Sequence, residues 1–455
     1  MASAHPKIIE TSLVFPPAGS VPETSIPLTF FDVIWLSFAP VERLFFYPFH
    51  HSTSHFTSYC LPALKSSLSL TLQSFFPLAG NIRLTPETTD KYEIYYKGGD
   101  SVALTVAESD RYDEVFSDHP RQVSKLKTLL PRLSKSESGG LQPVLAIQVT
   151  VFPSHGLVIG TTLHHSACDG KGSVNFMCKW ATICHMNYSK VSQAPTPFRI
   201  EVDRSIIPDP DGSLYTAILN NLSGTENHNL DGIQSDPEML LASFKLKAEH
   251  IQLLKEVLLH EAAKRNVTLR CSTAVVTYAF VWAGYVKAKS TLSETEDVYC
   301  MFATDHRQSY QPPIPENYLG NCIGPCIVQA KVKDLIGPAG FFVACQAIGK
   351  AFDEVKRVGI QNAEDWGKIV LEIGSHKPFG TSGSFRFKVY DVDFGWGKPA
   401  KVDIVSVAYS GAMAVAESRE QDGMEIGLCF TQREIEVFTN YIGEGALGYM
   451  STLVN

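Results

Sequence analysis

The segment that most restricts the fold runs from Pro143 to Gly170. Pro143-Val-Leu-Ala-Ile-Gln-Val-Thr-Val-Phe152 is apolar and rich in β-branched residues, and so is Gly156-Leu-Val-Ile-Gly160. Alternation and branching predict two buried strands joined by the turn Pro153-Ser-His-Gly156. The second strand then delivers Thr161-Thr-Leu-His164-His165-Ser-Ala-Cys168-Asp169-Gly170. Two histidines, a carboxylate and an Asp-Gly turn signal therefore stand at a strand end, where a cleft opens. A neutral imidazole there can take a proton from a hydroxyl nucleophile near neutral pH, because its unperturbed pKa lies close by.

A chain of 455 residues, 44% hydrophobic and 19% charged, suits two domains of roughly 200 residues each better than one core. The net charge of −8 and scattered Lys and Arg residues argue against a nucleic-acid surface, which needs a basic field. The start, Met1-Ala-Ser-Ala-His-Pro-Lys-Ile-Ile-Glu10, lacks the charged and apolar regions of a signal peptide, and no apolar run has the length of a membrane span. The ten cysteines are dispersed, as in Cys60, Cys271, Cys300, Cys345 and Cys429. Small buried hydrophobes in a reducing, cytoplasmic compartment fit that pattern better than a disulfide framework.

In chain order, a first strand is expected over Ile8–Phe15 and a core-forming strand and turn over Ile26–Leu36. Leu64, Leu68, Leu72 and Phe75 have helical spacing, stopped by Pro77 and Gly80. Strands follow at Tyr92–Tyr96 and Val102–Val106. Ser173–Cys184 reads as a helix leaving the His/Asp cluster. Residues 190–235 are rich in Pro, Ser, Asn and Gly with weak periodicity, which marks a crossover. The expected division is a first domain over 1–195, a crossover over 196–235 and a second domain over 236–455. The second half alternates again: a strand at Met239–Leu246, a helix at Glu249–Ala263, and a long helix capped by Ser272-Thr273 and running to Lys289. Further strands and helices continue to Ile442, so both halves are mixed α/β.

Near the carboxyl end stands Asp393-Phe-Gly395-Trp396-Gly397. Together with His165-x3-Asp169-Gly170 it forms the pair of motifs that marks the BAHD family of plant acyl-CoA-dependent acyltransferases, which this chain resembles over essentially its whole length. Ile26-Pro-Leu-Thr-Phe-Phe-Asp32, Phe76-Pro-Leu-Ala-Gly80 and Asn317-Tyr-Leu-Gly-Asn-Cys322 look like further landmarks. The last resembles the Tyr-Phe-Gly-Asn-Cys element of the branch that acylates sugars on flavonoid and other phenolic glycosides, with Leu319 in place of Phe.

The resemblance implies two chloramphenicol-acetyltransferase-like domains around a central solvent channel, with His165 mid-channel as general base. It implies that Asp169 is a structural carboxylate paired with an arginine, for which Arg307 is the matching candidate. The residues Asp393, Gly395, Trp396 and Gly397 would shape the channel wall from a distance. Thr381 and Ser384, just upstream, fall where the family places contacts to the pantetheine arm and the oxyanion. Ser272 and Thr273 offer helix-start N–H groups suited to a phosphate; Lys264, Arg265 and Arg270 stand nearby. No cofactor would be held permanently: acyl-CoA is a co-substrate, the acceptor a phenolic glycoside such as an anthocyanin or flavonoid glucoside, and the chain a monomer.

Malonyl-CoA is the favoured donor, with Lys171 or Arg386 as the cation for its carboxylate; a hydroxycinnamoyl-CoA is the alternative. A catalytically silent member of the fold is a further alternative. Zinc is not expected from His164, His165, Cys168, Cys178 and Cys184-His185, which lack a tight Cys-x2–4-Cys pair. No Gly-x-Ser-x-Gly elbow and no phosphate-binding Gly-rich loop is present.

Overall fold

Every residue of the strands Leu145–Phe152 and Gly156–Leu163 is buried, and the two pair antiparallel from Leu145↔Leu163 to Phe152↔Gly156. The computed structural model describes residues 5–133, 140–188, 199–222, 238–289, 291–420 and 422–453. Such a hairpin has to be covered on both faces. On one face Ile147, Val149, Ile159 and Leu163 join the largest core; on the other, Phe152 and Val158 join a second cluster that includes Leu241 and Val405 from the carboxyl half.

The hairpin sits inside a six-stranded sheet, in the order Lys7–Val14, Val102–Glu108, Leu145–Phe152, Gly156–Leu163, Val41–Pro48, Lys401–Ile404. A seven-stranded sheet runs Ile323–Lys331, Asp297–Asp305, Phe379–Gly383, Met413–Glu417, Met424–Phe430, Leu240–Leu246, Arg121–Gln122. A four-stranded sheet joins Thr24–Pro27, Tyr92–Tyr96, Asn81–Leu84 and Gln142–Pro143. The mixed α/β class is thus observed. Each half lends a strand to the other: Lys401–Ile404 pairs with Val41–Pro48, and Arg121–Gln122 pairs with Leu240–Leu246.

The helix after the His/Asp cluster spans Gly170–Tyr188 and packs on Leu61–Ser74. Its Trp180 indole N–H donates to the Leu64 carbonyl at 3.2 Å and to Ser67 Oγ at 3.1 Å, so a fully buried polar edge is satisfied. In the second half, Thr273–Ala288 is buried nearly all round, the mark of a central helix, and Ser272 caps it by accepting from the Val275 N–H.

One expectation needs correction. Ile26–Leu36 is not a strand and turn throughout: the strand ends at Pro27, and Phe30–Val33 is a short helix. The cause is a reciprocal cap between Thr29 and Asp32, three residues apart. The crossover falls partly outside the described residues, and its described part holds the turn Arg204–Ile206 and the helix Ser213–Leu222. Tyr215 and Ile218 of that helix are buried, which the polar composition of the stretch conceals.

Candidate active site

The strand Gly156–Leu163 ends on a tight loop that separates its two histidines. His164 turns inward, buried, with its Nδ1 accepting from the Ser166 N–H at 3.3 Å. His165 stays partly accessible, its ring stacked on Trp35 at 3.9 Å between centroids and 13° between planes. Its Nδ1 is sealed from solvent without a hydrogen-bond partner. Burial lowers the His165 pKa below the usual histidine range, opposed by its own backbone carbonyl, Asp169, Asn321 and Asp32. The ring is therefore neutral at physiological pH and free to accept a proton.

Asp169 performs two jobs at once. Its Oδ1 accepts from the Lys171 and Gly172 N–H groups at 3.1 and 3.0 Å, capping the helix Gly170–Tyr188. Its Oδ2 lies 2.8 Å from Arg307 Nη2 and accepts from the Cys322 N–H at 3.4 Å. Arg307, 1% exposed, also reaches Asp305 at 3.2 Å. Burial alone would lower the Arg307 pKa, but Asp169 and Asp305 outweigh it and hold the guanidinium charged. Among the described residues Asp169 makes no hydrogen bond to the His165 ring.

A second buried ion pair supports the same loop from the other side. Asp32 is fully buried; its Oδ2 accepts from Thr29 N at 2.9 Å, Thr29 Oγ1 at 2.8 Å and Arg204 Nε at 3.1 Å. Arg204 goes on to donate to the carbonyls of Ala167, at 3.0 Å, and Leu319. Asp32 Oδ1 accepts from Asn321 N and Nδ2 at 3.1 and 2.9 Å, and Asn321 Nδ2 donates at 2.8 Å to the carbonyl of His165. The carbonyls of His165 and Ala167 are thus both held by side chains, and the residues that hold them were not singled out from the sequence. The landmarks around Asp32 and Asn321 were the available signal; their shared target was not.

The second motif forms a self-closed turn. Asp393 Oδ1 accepts from the N–H groups of Gly395 at 2.8 Å and Gly397 at 3.0 Å, with both glycines near φ +105°. Only glycine takes that backbone without strain. The turn lies on the core of the first half: Phe394 meets Trp180 edge-on at 4.8 Å, Trp396 meets Tyr47 at 6.2 Å, and the Tyr47 hydroxyl donates to the Val392 carbonyl at 2.9 Å.

The remaining candidates are dispersed. Ser384 Oγ accepts from the Arg386 N–H at 3.2 Å, and Thr381 is half-buried beside the Tyr278 hydroxyl. The same segment reaches the loop through Phe387, whose ring lies so close to Gly170 that an added Cβ would meet it at 2.6 Å. Thr273 Oγ1 accepts from Lys255 Nζ at 2.9 Å; neither it nor Ser272 touches the His165 loop. Lys264 and Arg265 pair with Glu261, and Arg270 with Asp353. Of the two cations considered for an acyl carboxylate, Lys171 is tied to Glu316, and Arg386 lies 5.6 Å over the Phe385 ring. Among the described residues no group of three or more His, Cys, Asp or Glu side chains could hold a metal ion, and no helix is long and apolar enough to cross a membrane.

Comparison with known proteins places this geometry. A model of the transferase family matches residues 4–443. The chain is 35% identical over 460 residues to coumaroyl-CoA:anthocyanidin 3-O-glucoside-6''-O-coumaroyltransferase 1 of Arabidopsis thaliana, covering 97% of each chain. It is also 35% identical to malonyl-coenzyme A:anthocyanin 3-O-glucoside-6''-O-malonyltransferase of Dahlia pinnata, covering 96% of this chain and 97% of that one. Among solved structures it is similar to vinorine synthase, with a TM-score of 0.69 at 18% identity over 95% of this chain and 96% of that one. The likeness extends to F. sporotrichioides TRI101 complexed with coenzyme A and T-2, with a TM-score of 0.61 at 14% identity, covering 92% of this chain and 97% of that one. The two-domain, chloramphenicol-acetyltransferase-like architecture is common to these folds. The chain belongs to the transferase family of BAHD acyltransferases, in its anthocyanin and phenolic glycoside branch.

Proposed function

We propose that this protein transfers an acyl group from acyl-CoA to a sugar hydroxyl, the 6-hydroxyl, of a flavonoid, anthocyanin or other phenolic glycoside. The observation that carries the reading is the state of His165: neutral, partly accessible and set in a loop pinned from both sides. With Nδ1 sealed from solvent, Nε2 is the nitrogen whose lone pair would meet the acceptor. The acceptor hydroxyl gives its proton to Nε2 while its oxygen bonds to the thioester carbonyl carbon. The carbonyl electron pair moves to oxygen; on its return the carbon–sulfur bond breaks, and the imidazolium proton passes to the departing thiolate. Both substrates are present together, so no acyl-enzyme forms.

In this reading Asp169 and Arg307 position the loop and do not touch the reacting atoms, and the Asp393–Gly397 turn is structural. Thr381 and Ser384 are proposed as thioester contacts, and Ser272 and Thr273 for the phosphates. The chain is proposed to act as a monomer. Ten free thiols favour the cytoplasm. The relatives' names carry both malonyl and coumaroyl donors. A thiol-release assay with a flavonoid 3- or 7-glucoside and each donor in parallel tests the proposal. Acceptor-dependent CoA release supports it; none with either donor would favour a catalytically silent member of the fold.

A further inference from the structure

Among the described residues four arginines are almost wholly buried, and three of them have an acidic partner: Arg121 with Asp403, Arg204 with Asp32 and Arg307 with Asp169. The fourth, Arg43, is 3% exposed and has none. Among the described residues its guanidinium makes no ion pair or hydrogen bond, and its Nε is sealed without a partner. Burial lowers its pKa to about 10, with Cys168, Glu417 and Cys178 opposing, so it carries its charge at neutral pH. A buried charge without a contacting counter-ion is costly, and part of the cost is recovered when an anion pairs with it.

Arg43 lies on the strand Val41–Pro48, opposite Thr161 on the strand that leads to His165. It lines a cavity together with Gly383 and Phe387, the segment that also rests on Gly170. Two of the acids nearby are already engaged. Asp403 offers both oxygens to Arg121, while Glu425 binds the Tyr390 hydroxyl and is held toward its neutral form by burial. Glu417 accepts from the Tyr390 N–H, leaving one buried oxygen unpaired, beyond ion-pair distance of Arg43.

We propose that Arg43 receives the free carboxylate of the acyl group on the donor, and that the protein therefore uses a short dicarboxylic half-thioester such as malonyl-CoA. The proposal rests on the acyl-transfer reading above and replaces Lys171 and Arg386 as the cation. A guanidinium offers a carboxylate two parallel N–H donors, and the low local dielectric strengthens both.

The test measures malonyl-CoA and acetyl-CoA side by side, for the unaltered protein, Arg43→Gln and Arg43→Lys. Calorimetric binding and kcat/KM with a flavonoid glucoside are both read, and melting temperature reports folding. The expected result is that Arg43→Gln costs malonyl-CoA about 100-fold more than it costs acetyl-CoA, with Arg43→Lys between. Equal affinity of the unaltered protein for the two thioesters overturns the proposal, and so does an equal loss of both in a normally melting Arg43→Gln. Discrimination in binding without turnover would keep the carboxylate site and overturn the acyl-transfer reading instead.

Discussion

The side-chain nitrogen of Asn321, from the second half of the chain, donates to the backbone carbonyl of His165, in the first half, at 2.8 Å. It reaches Asp32 at 2.9 Å as well, so one amide ties the histidine's backbone to a buried carboxylate.

Asn321→Ala should lower kcat about 10- to 100-fold with little change in KM, because the imidazole is displaced while the binding surfaces remain. Loss of the buried hydrogen bonds should also cost about 1–3 kcal/mol of stability in urea titration. Unaltered kcat would remove Asn321 from the support of His165.

His165→Ala should reduce turnover about a hundred- to ten-thousand-fold while calorimetric binding of the thioester stays near normal. Retained turnover would end the general-base assignment.

Asp169→Ala should destabilise the fold by about 3–5 kcal/mol, since it strands the Arg307 charge and uncaps the helix Gly170–Tyr188. Chemical denaturation measures this. An inactive variant of normal stability would argue for a direct chemical role for Asp169.

Acid should weaken the fold through His306, whose pKa is pushed down by burial to about 4, against the opposing charge of Asp305. The unfolded histidine titrates near 6.5, so between the two values the unfolded chain binds more protons. Stability is full above pH 6.5 and falls as pH drops toward 4, by on the order of 2–3 kcal/mol. Burial shifts His165 in the same direction, so its acid inactivation should begin below the ordinary histidine range. Glu42 works oppositely: burial raises it to about 7, and its contribution is lost as pH rises from 4.5 toward 7. Denaturation midpoints across pH 4–8 for the unaltered protein and His306→Phe check the first effect, which should flatten in the variant.

The buried hairpin and its terminal motif were legible because their signals are local: continuous apolar runs, a turn, and a base adjacent in sequence to its helix cap. The partnership of Asp169 with Arg307 was accessible through family resemblance, and its geometry agrees. The pair of Asp32 and Arg204 was not legible, because its members and Asn321 come from three distant segments that meet only in the folded chain. The strand Val41–Pro48 escaped notice for another reason. Its apolar stretch Leu44-Phe45-Phe46-Tyr47 does not alternate, being covered on both faces, and it begins with Glu42 and Arg43. Polar composition hid the helix Ser213–Leu222 in the same way that charge hid the strand.

The mutual loan of Arg121–Gln122 and Lys401–Ile404 has a consequence for how the chain is inherited and handled. Neither half is a transferable module, because each expressed alone would lack an edge strand of its own sheet and present another with no seat. A single proteolytic cut between 223 and 235 should leave two pieces that remain clasped and elute together under native conditions, separating only in denaturant.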